Sequence, residues 1–163
     1  MKKSSIAEIR ERFDKDVERF SNLDTGQLTT IDAKISLELI TEAARRIVPI
    51  AEQLLDIGCG AGNYSLKMLS KLPNLECTLV DLSDPMLDKA YERVSEQTNK
   101  KVHLVKGDIR EVPLKQNYFD IILAGAVLHH LRDDQDWETT FKKIYGILKP
   151  GGCFMISDLI TQD

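Results

Sequence analysis

The chain has 163 residues, of which 42% are hydrophobic and 29% charged, the balance of an ordinary globular domain. Its formal net charge of -4 argues against a nucleic-acid partner, because phosphate backbones are bound by basic surfaces. No apolar run reaches the length of a membrane span, and the three cysteines lack the spacing of a metal site or a disulfide framework. We therefore expect a cytoplasmic protein with reduced thiols.

Two amphipathic helices are predicted before the main body of the chain. Apolar residues recur at three- and four-residue steps over residues 5–20, and a second series precedes Pro49. The second series is Ile31, Ile35, Leu39, Ala43 and Ile47. Neither helix fits the pattern that follows, so residues 1–50 are interpreted as a helical extension or lid and residues 51–163 as the core.

From residue 52 onward, short apolar segments alternate with helical ones. The predicted strands are EQLLDI, LECTLVD, KVHLVKGD, a fourth within YFDIILAGAVLHHL, and CFMISDLI. Ser83 is the expected N-cap of one intervening helix, and Pro150 with Gly151 is expected to end the last one. Strands that are almost wholly apolar indicate a parallel sheet covered on both faces, and therefore a doubly wound α/β fold.

A glycine-rich turn follows the first predicted strand, in the stretch LLDIGCGAGNYS. In doubly wound sheets, ligands bind at the carboxyl ends of the strands, beside this turn. A dinucleotide fingerprint that starts at Gly58 requires glycine at position 63, where Asn63 stands instead. The pattern Gly58, Gly60, Gly62 therefore favours a smaller ligand group, such as an amino-acid moiety, over a pyrophosphate.

Two acidic residues follow the second and third predicted strands, on the same edge of the sheet. A carboxylate at Asp81 is suited to accept hydrogen bonds from both hydroxyls of a ribose. Asp108 is suited to accept from an exocyclic amine, with the backbone N–H of Ile109 donating to a ring nitrogen. Together they predict a nucleoside whose tail reaches the glycine turn.

Five segments in order resemble the class I S-adenosylmethionine-dependent methyltransferases, which have a Rossmann-like fold. They are LLDIGCGAG, VDLSDPML, GDIREVPL, FDIILAGAVLHHL and ILKPGGCFMISD, and the resemblance covers roughly residues 52–160. It implies an enzyme that binds S-adenosyl-L-methionine and transfers a methyl group, leaving S-adenosyl-L-homocysteine. The cofactor contacts that it implies are Asp56, Gly58, Gly60, Gly62, Asp81, Leu82, Met86, Asp108, Ile109, Ala124 and His129.

Within that set, the resemblance implies a distinct role for each end of the cofactor. The three glycines lie against the methionine portion, and Asp56 reaches its amino group, directly or through water. Leu82 and Met86 lie against the adenine. Ala124 offers backbone near the methionine end, where His129 lines the cavity and is a candidate general base.

The methyl acceptor is not readable from the sequence. Transfer to an oxygen or carbon acid requires a base, whereas an amine or thiol does not. We expect a small-molecule acceptor because the chain is short and acidic. His129 and His130 are adjacent and cannot share a helix face, so no metal site is predicted.

The chain ends at DLITQD, just after the fifth strand, whereas the resembled family has two further strands. The unpaired edge of the fifth strand predicts a homodimer, unless the N-terminal helices cover it. Three alternatives stay open: a non-catalytic or truncated cofactor-binding protein, other chemistry on the sulfonium, and an NAD-dependent oxidoreductase, which Asn63 disfavours.

Overall fold

The computed structural model describes residues 4–22 and 33–158. Within them, five parallel strands form one sheet in the order β3-β2-β1-β4-β5. The strands are β1 Gln53–Ile57, β2 Glu76–Asp81, β3 Val102–Lys106, β4 Phe119–Gly125 and β5 Leu148–Ser157. The strand order reverses between β1 and β4, which is where doubly wound sheets open a crevice for ligands.

Within the described ranges, six α-helices and a 3₁₀ turn at Leu128–His130 connect and precede these strands. The helices are α1 Ile6–Asp14, α2 Val17–Ser21, α3 Ala33–Ile47, α4 Asn63–Lys71, α5 Asp84–Ser95 and α6 Asp134–Ile147. The predicted N-cap is confirmed, because Ser83 Oγ accepts a hydrogen bond from the Met86 backbone N–H at 3.3 Å. Among the described residues, no helix is long and apolar enough to span a bilayer.

The sheet has a separate hydrophobic core on each face. Leu54 packs with residues of α3, α4 and α5 on one face, whereas its neighbour Leu55 packs with α6 on the other. Both side chains are fully buried, since successive residues of a strand point to opposite faces. The predicted doubly wound α/β fold is confirmed.

The single helix predicted over residues 5–20 is instead two helices, separated at Lys15 and Asp16. Phe13 and Phe20 lie seven residues apart, which in a continuous helix corresponds to about 10.5 Å along the axis. The break brings their ring centroids to 5.2 Å from each other. Two short helices therefore place both aromatic rings in one cluster.

The apolar residues that define the second predicted amphipathic helix are largely exposed in α3. Ile35, Leu39 and Ile47 are 56%, 64% and 56% exposed, whereas Leu37 and Ala44 are buried against α4 and the sheet. Ile31 lies outside the described residues. Each step of four residues turns a helix by 400°, so a series spaced by four winds away from any fixed face.

α3 is part of the helical layer that covers the sheet, since it packs against α4 and β5. Ser36 Oγ lies 2.6 Å from Ser157 Oγ at the end of β5. The expectation that Pro150 and Gly151 end the last helix is wrong, because the helix ends a few residues earlier. α6 already ends at Ile147, and both residues lie in the first half of β5.

Candidate functional site

A cavity of about 390 Å³ lies at the carboxyl ends of the strands. Residues at the ends of all five strands line it, and α1 and α2 form its roof. This volume lies in the range of small-molecule and cofactor sites. The cavity is therefore the candidate site that both the topology and the sequence motifs indicate.

The glycine turn forms the floor of the cavity beside β1. Gly58 has φ +62°, and a Cβ atom there would lie 2.4 Å from Val127 Cγ2, so no other residue fits without displacement. The Cys59 N–H donates to the Val80 carbonyl at 3.0 Å, and the Gly60 N–H donates to Asp81 Oδ2 at 2.8 Å. The turn is therefore fixed to the end of β2 by hydrogen bonds.

Asp81 links this turn to the loop after β2. Its second oxygen, Oδ1, accepts from the Ser83 N–H at 3.0 Å. Burial raises the pKa of the Asp81 carboxyl, against the opposing effect of these backbone hydrogen bonds. The carboxylate lines the cavity in a fixed orientation, as recognition of paired hydroxyls requires.

Asp108, after β3, is oriented by the neighbouring Arg110. The guanidinium donates to Asp108 Oδ1 at 2.8 Å and to Oδ2 at 2.6 Å, and it also pairs with Asp136 on α6. Burial acts to raise the pKa of Asp108, but hydrogen bonds from Arg110 outweigh it and lower the pKa. The carboxylate is therefore ionised and held at the cavity wall.

His129 and Asp158 form a hydrogen-bonded pair at the ends of β4 and β5. His129 Nδ1 lies 2.6 Å from Asp158 Oδ1. Asp158 Oδ2 accepts from the backbone N–H groups of Leu128 at 2.6 Å and His129 at 3.1 Å. Both side chains line the cavity and are 30% and 10% exposed, respectively.

The roof of the cavity includes two aromatic side chains, Phe13 on α1 and Phe20 on α2. Phe13 contacts Phe20 and lies edge-on to His130 at a centroid distance of 6.1 Å. Asn63 Nδ2 donates to the Phe20 carbonyl at 3.0 Å, and Arg93 Nη1 donates to Asn63 Oδ1 at 2.9 Å. Asn63, which breaks the dinucleotide fingerprint, therefore fastens α2 to the start of α4.

Most of the residues predicted for the cofactor line this cavity, but three do not. Those that line it are Gly58, Gly60, Asp81, Leu82, Met86, Asp108, Ile109 and His129. Asp56, Gly62 and Ala124 are absent from its wall. The position of each has a structural reason, and their predicted roles, including contact of Asp56 through water, stay predictions.

Asp56 lies beneath the turn and is 1% exposed. It accepts a hydrogen bond from Ser65 Oγ at 2.6 Å, which joins β1 to α4. Burial raises its pKa to about 7. Asp56 therefore supports the turn from below rather than facing the cavity.

Gly62 and Ala124 lie outside the cavity wall for two different reasons. A Cβ atom at Gly62 would lie 3.0 Å from Val94 Cγ2, so this glycine allows α5 to pack closely. Ala124 is fully buried in β4, and the wall is formed by the next residues, Gly125 and Ala126. At this point of the wall, the exposed backbone is therefore that of Gly125 and Ala126 rather than that of Ala124.

The sequence analysis missed the roles of Asn63, Arg110 and Asp158. A carboxylate at the end of a parallel strand is the signal that identified Asp81, and Asp158 carries the same signal after β5. Arg110 and Asn63 have no such signal, because their partners lie on other elements. Across residues 4–22 and 33–158, no group of three or more metal-ligating side chains occurs.

Known proteins are similar to this chain in sequence and in architecture. The model of the methyltransferase-domain family matches residues 54–152, more than half of the chain. A malonyl-[acyl-carrier protein] O-methyltransferase of Priestia megaterium is 31% identical over 127 residues, which are 78% of this chain and 44% of that enzyme.

Two solved structures extend the comparison. An S-adenosylmethionine-dependent methyltransferase of Clostridium acetobutylicum has a TM-score of 0.70 at 25% identity, over 89% of this chain and 56% of that one. A phosphoethanolamine N-methyltransferase of Haemonchus contortus, solved with phosphomonomethylethanolamine and S-adenosylhomocysteine, has a TM-score of 0.60 at 28% identity. That match covers 88% of this chain and 35% of that one.

The chain spans about half the length of the curated relatives that it matches. The matched region nevertheless contains the glycine turn, the three strand ends that follow it and most of the cavity wall. The chain therefore belongs to the methyltransferase-domain family, with the Rossmann-like fold of the class I S-adenosylmethionine-dependent enzymes.

Proposed function

We propose that this protein binds S-adenosyl-L-methionine in the cavity and transfers its methyl group to a small-molecule acceptor. The observation that carries the proposal is the Asp81 carboxylate, which lies in the cavity wall and is hydrogen-bonded to the glycine turn. A carboxylate at the end of β2 is suited to the two hydroxyls of a ribose. Family membership supports the same cofactor.

The residues present fit each part of this cofactor. Met86 and Ile109 give the cavity wall apolar surface suited to a flat base, and the open space at Gly60 leaves room for the amino-acid portion. When bound, the cofactor supplies a methyl group on a positively charged sulfur. The protein must hold the acceptor in line with that methyl group and exclude water, and α1 and α2 act as the lid that does so.

A small-molecule acceptor is favoured by the enclosed shape of the cavity. The named relatives act on chemically different acceptors, since one is an O-methyltransferase and another an N-methyltransferase crystallised with a phosphorylated amine. The acidic net charge disfavours nucleic acid as the acceptor. The predicted cytoplasmic location and the division at residue 50 stay predictions.

Calorimetric titration with S-adenosylhomocysteine tests the cofactor. We expect micromolar binding that Asp81→Ala weakens by about 100-fold, because a charged hydrogen-bonding partner is lost in a buried site. Asp88→Ala, an exposed carboxylate on α5, is the matched control. Titration with NAD should show no binding. Binding that survives in Asp81→Ala, or a preference for NAD, would contradict the proposal.

We also propose that β5 mediates pairing with a second copy of this chain. The outer edge of β5 has no partner strand among the described residues, although α3 and α6 both contact this strand. Exposed apolar residues lie on β5 and on these two helices, namely Ile35, Leu39, Ile47, Trp137, Phe141 and Ile156. The opposite edge, β3, carries the exposed polar side chains of His103 and Lys106, and a lysine on an edge strand discourages such pairing.

Light scattering across a concentration series tests this pairing. We expect a dimer that Ile156→Lys converts to a monomer, because a charge on the edge cannot be buried against its symmetry mate. Leu104→Lys, at the exposed face of β3, should leave the dimer intact. A wild-type monomer at high concentration would overturn the proposal.

A further inference from the structure

We propose that His129 is the general base for methyl transfer, that Asp158 positions it, and that the acceptor atom is therefore the oxygen of a hydroxyl or phenol. This inference rests on the proposed methyltransferase function and specifies its substrate class. Its observation is the hydrogen-bonded pair at the ends of β4 and β5. Both residues lie at the ends of β4 and β5, whereas Asp81 and Asp108 lie at the ends of β2 and β3, on the other side of β1.

Asp158 is held by the backbone and therefore provides a fixed anchor. Its Oδ2 accepts from two successive backbone N–H groups, those of Leu128 and His129. Its Oδ1 lies 2.6 Å from His129 Nδ1, and the side chain is only 10% exposed. A carboxylate fixed in this way is a preorganised acceptor that does not need to reorient during reaction.

This anchor determines which nitrogen of His129 carries the proton. An ionised carboxylate only accepts hydrogen bonds, so Nδ1 must donate and the neutral ring must keep its lone pair on Nε2. Among the described residues, nothing is hydrogen-bonded to Nε2. His129 lines the cavity, so Nε2 is the nitrogen left for a bound acceptor.

Neighbouring rings keep the His129 ring in this orientation. The His130 ring lies 4.0 Å away between centroids, and Phe13 on α1 contacts His130 from above. The other titratable or charged groups on this part of the wall are Tyr64 on α4, Arg12 on α1 and Arg132 after the 3₁₀ turn. No second carboxylate besides Asp158 lies among them, so Asp158 is the partner that sets the tautomer.

The proposed step balances without any further reagent. The acceptor O–H bond breaks and its proton passes to His129 Nε2, while the oxygen forms a bond to the methyl carbon. The carbon–sulfur bond of the sulfonium breaks, and its electron pair stays on sulfur, which becomes a neutral thioether. The imidazolium then releases its proton to water. A neutral amine has a free lone pair and needs no such base, so the pair favours oxygen acceptors.

The first experiment measures the tautomer and needs no acceptor. Long-range ¹H–¹⁵N correlation spectra of the full chain with S-adenosylhomocysteine should show the neutral form of His129 protonated at Nδ1 and unprotonated at Nε2. In Asp158→Asn, the amide N–H can donate to Nδ1, so the proton should move to Nε2. A His129 ring protonated at Nε2 in the wild-type protein would overturn the proposal.

The second experiment compares acceptors that differ only in the attacking atom. Phenol and thiophenol are each offered with methyl-tritiated S-adenosylmethionine. His129→Gln should lower methyl transfer to phenol by about 100-fold or more and leave transfer to thiophenol, which ionises readily, nearly unchanged. Asp158→Asn should lower kcat for phenol by about tenfold or more with little change in KM. Phenol methylation that is independent of His129 would contradict the proposal.

Two controls separate this inference from the proposed function. His103→Gln makes the same substitution on β3, outside the cavity, and should leave both transfers unchanged. Binding of S-adenosylhomocysteine should persist in His129→Gln and Asp158→Asn. If the wild-type protein itself fails to bind it, the proposed function fails. If binding persists but the tautomer is wrong, only the base assignment fails.

Discussion

The two halves of the cavity are built in different ways. In the half at the ends of β1, β2 and β3, hydrogen bonds among the turns that directly follow neighbouring strands fix the side chains, as where Asp81 accepts from Gly60 and Ser83. In the half at the ends of β4 and β5, with α1 and α2 above, side chains from distant segments meet. Asp158 lies 29 residues from His129 in sequence.

This difference indicates that the two halves bind different ligands. The β1–β3 half is held by these hydrogen bonds and suits a cofactor that is the same in every turnover. The β4–β5 half depends on contacts between separate elements, which suits an acceptor site that must open and close. Substitutions in the first half are therefore expected to affect folding and cofactor binding together. Substitutions in the second half are expected to affect mainly the contacts between α1, α2 and the ends of β4 and β5.

The largest effect is expected at Gly58 in the β1–β3 half. Gly58→Ala should lower the free energy of unfolding by about 3 kcal/mol, from the positive φ and from overlap with Val127. Gly60→Ala has a similar φ of +51° but open space around its Cβ, so it should cost only about 1 kcal/mol. Urea unfolding measures both.

Adding Val127→Ala to Gly58→Ala should restore part of the loss, because it removes the atoms in collision. The same second substitution should not help Gly60→Ala. Equal costs for the two glycine variants would show that backbone conformation alone matters and that the contact between the turn and β4 does not.

The second largest effect, of about 2 kcal/mol in the free energy of unfolding, is expected from the change in protonation of Asp56 with pH. The folded-state pKa of Asp56, about 7, lies above its unfolded value, so the folded protein binds the proton more tightly. This contribution to stability is present at low pH and is lost as pH rises toward 7. Relative to Asp56→Asn, the wild-type protein should therefore lose about 2 kcal/mol between about pH 5.5 and pH 8.

Urea unfolding of both proteins at several pH values measures this difference. Asp88→Asn is the matched control for loss of one carboxylate from the surface. A constant difference between wild type and Asp56→Asn across this range would mean that the buried carboxyl does not change its protonation on folding.

A smaller effect is expected at Arg110, which connects the wall at Asp108 to α6 through Asp136. Arg110→Gln should weaken S-adenosylhomocysteine binding by about tenfold, because Asp108 loses its orienting partner. Removing an exposed ion pair with Lys142→Gln on α6 should change nothing. Unchanged affinity in Arg110→Gln would show that Asp108 needs no positioning.

The smallest effect on cofactor binding is expected in the β4–β5 half. Phe13→Ala removes ring contacts with Phe20 and His130, and should weaken S-adenosylhomocysteine binding by about fivefold, the equivalent of about 1 kcal/mol. Calorimetry measures the affinity. Phe141→Ala, an aromatic truncation outside the cavity, is the control. A loss as large as that of Asp81→Ala would remove the distinction between the two halves.

The sequence by itself determined the β1–β3 half of the site and the alternation of strands and helices along the chain. Alternating apolar and helical segments specified a parallel sheet, and parallel strands bring their carboxyl ends to one edge. Gly58, Asp81 and Asp108 were predictable because each follows a strand directly, so its position depends on a few neighbouring residues.

Only the tertiary structure decided which face of α3 is buried, that residues 6–21 form two helices, and that Asp158 meets His129. It also placed Asp56 under the turn and gave Asn63 its contact with α2. These features depend on side chains from elements far apart in sequence. Local periodicity cannot encode them, because it says which residues share a face but not which partner that face will meet.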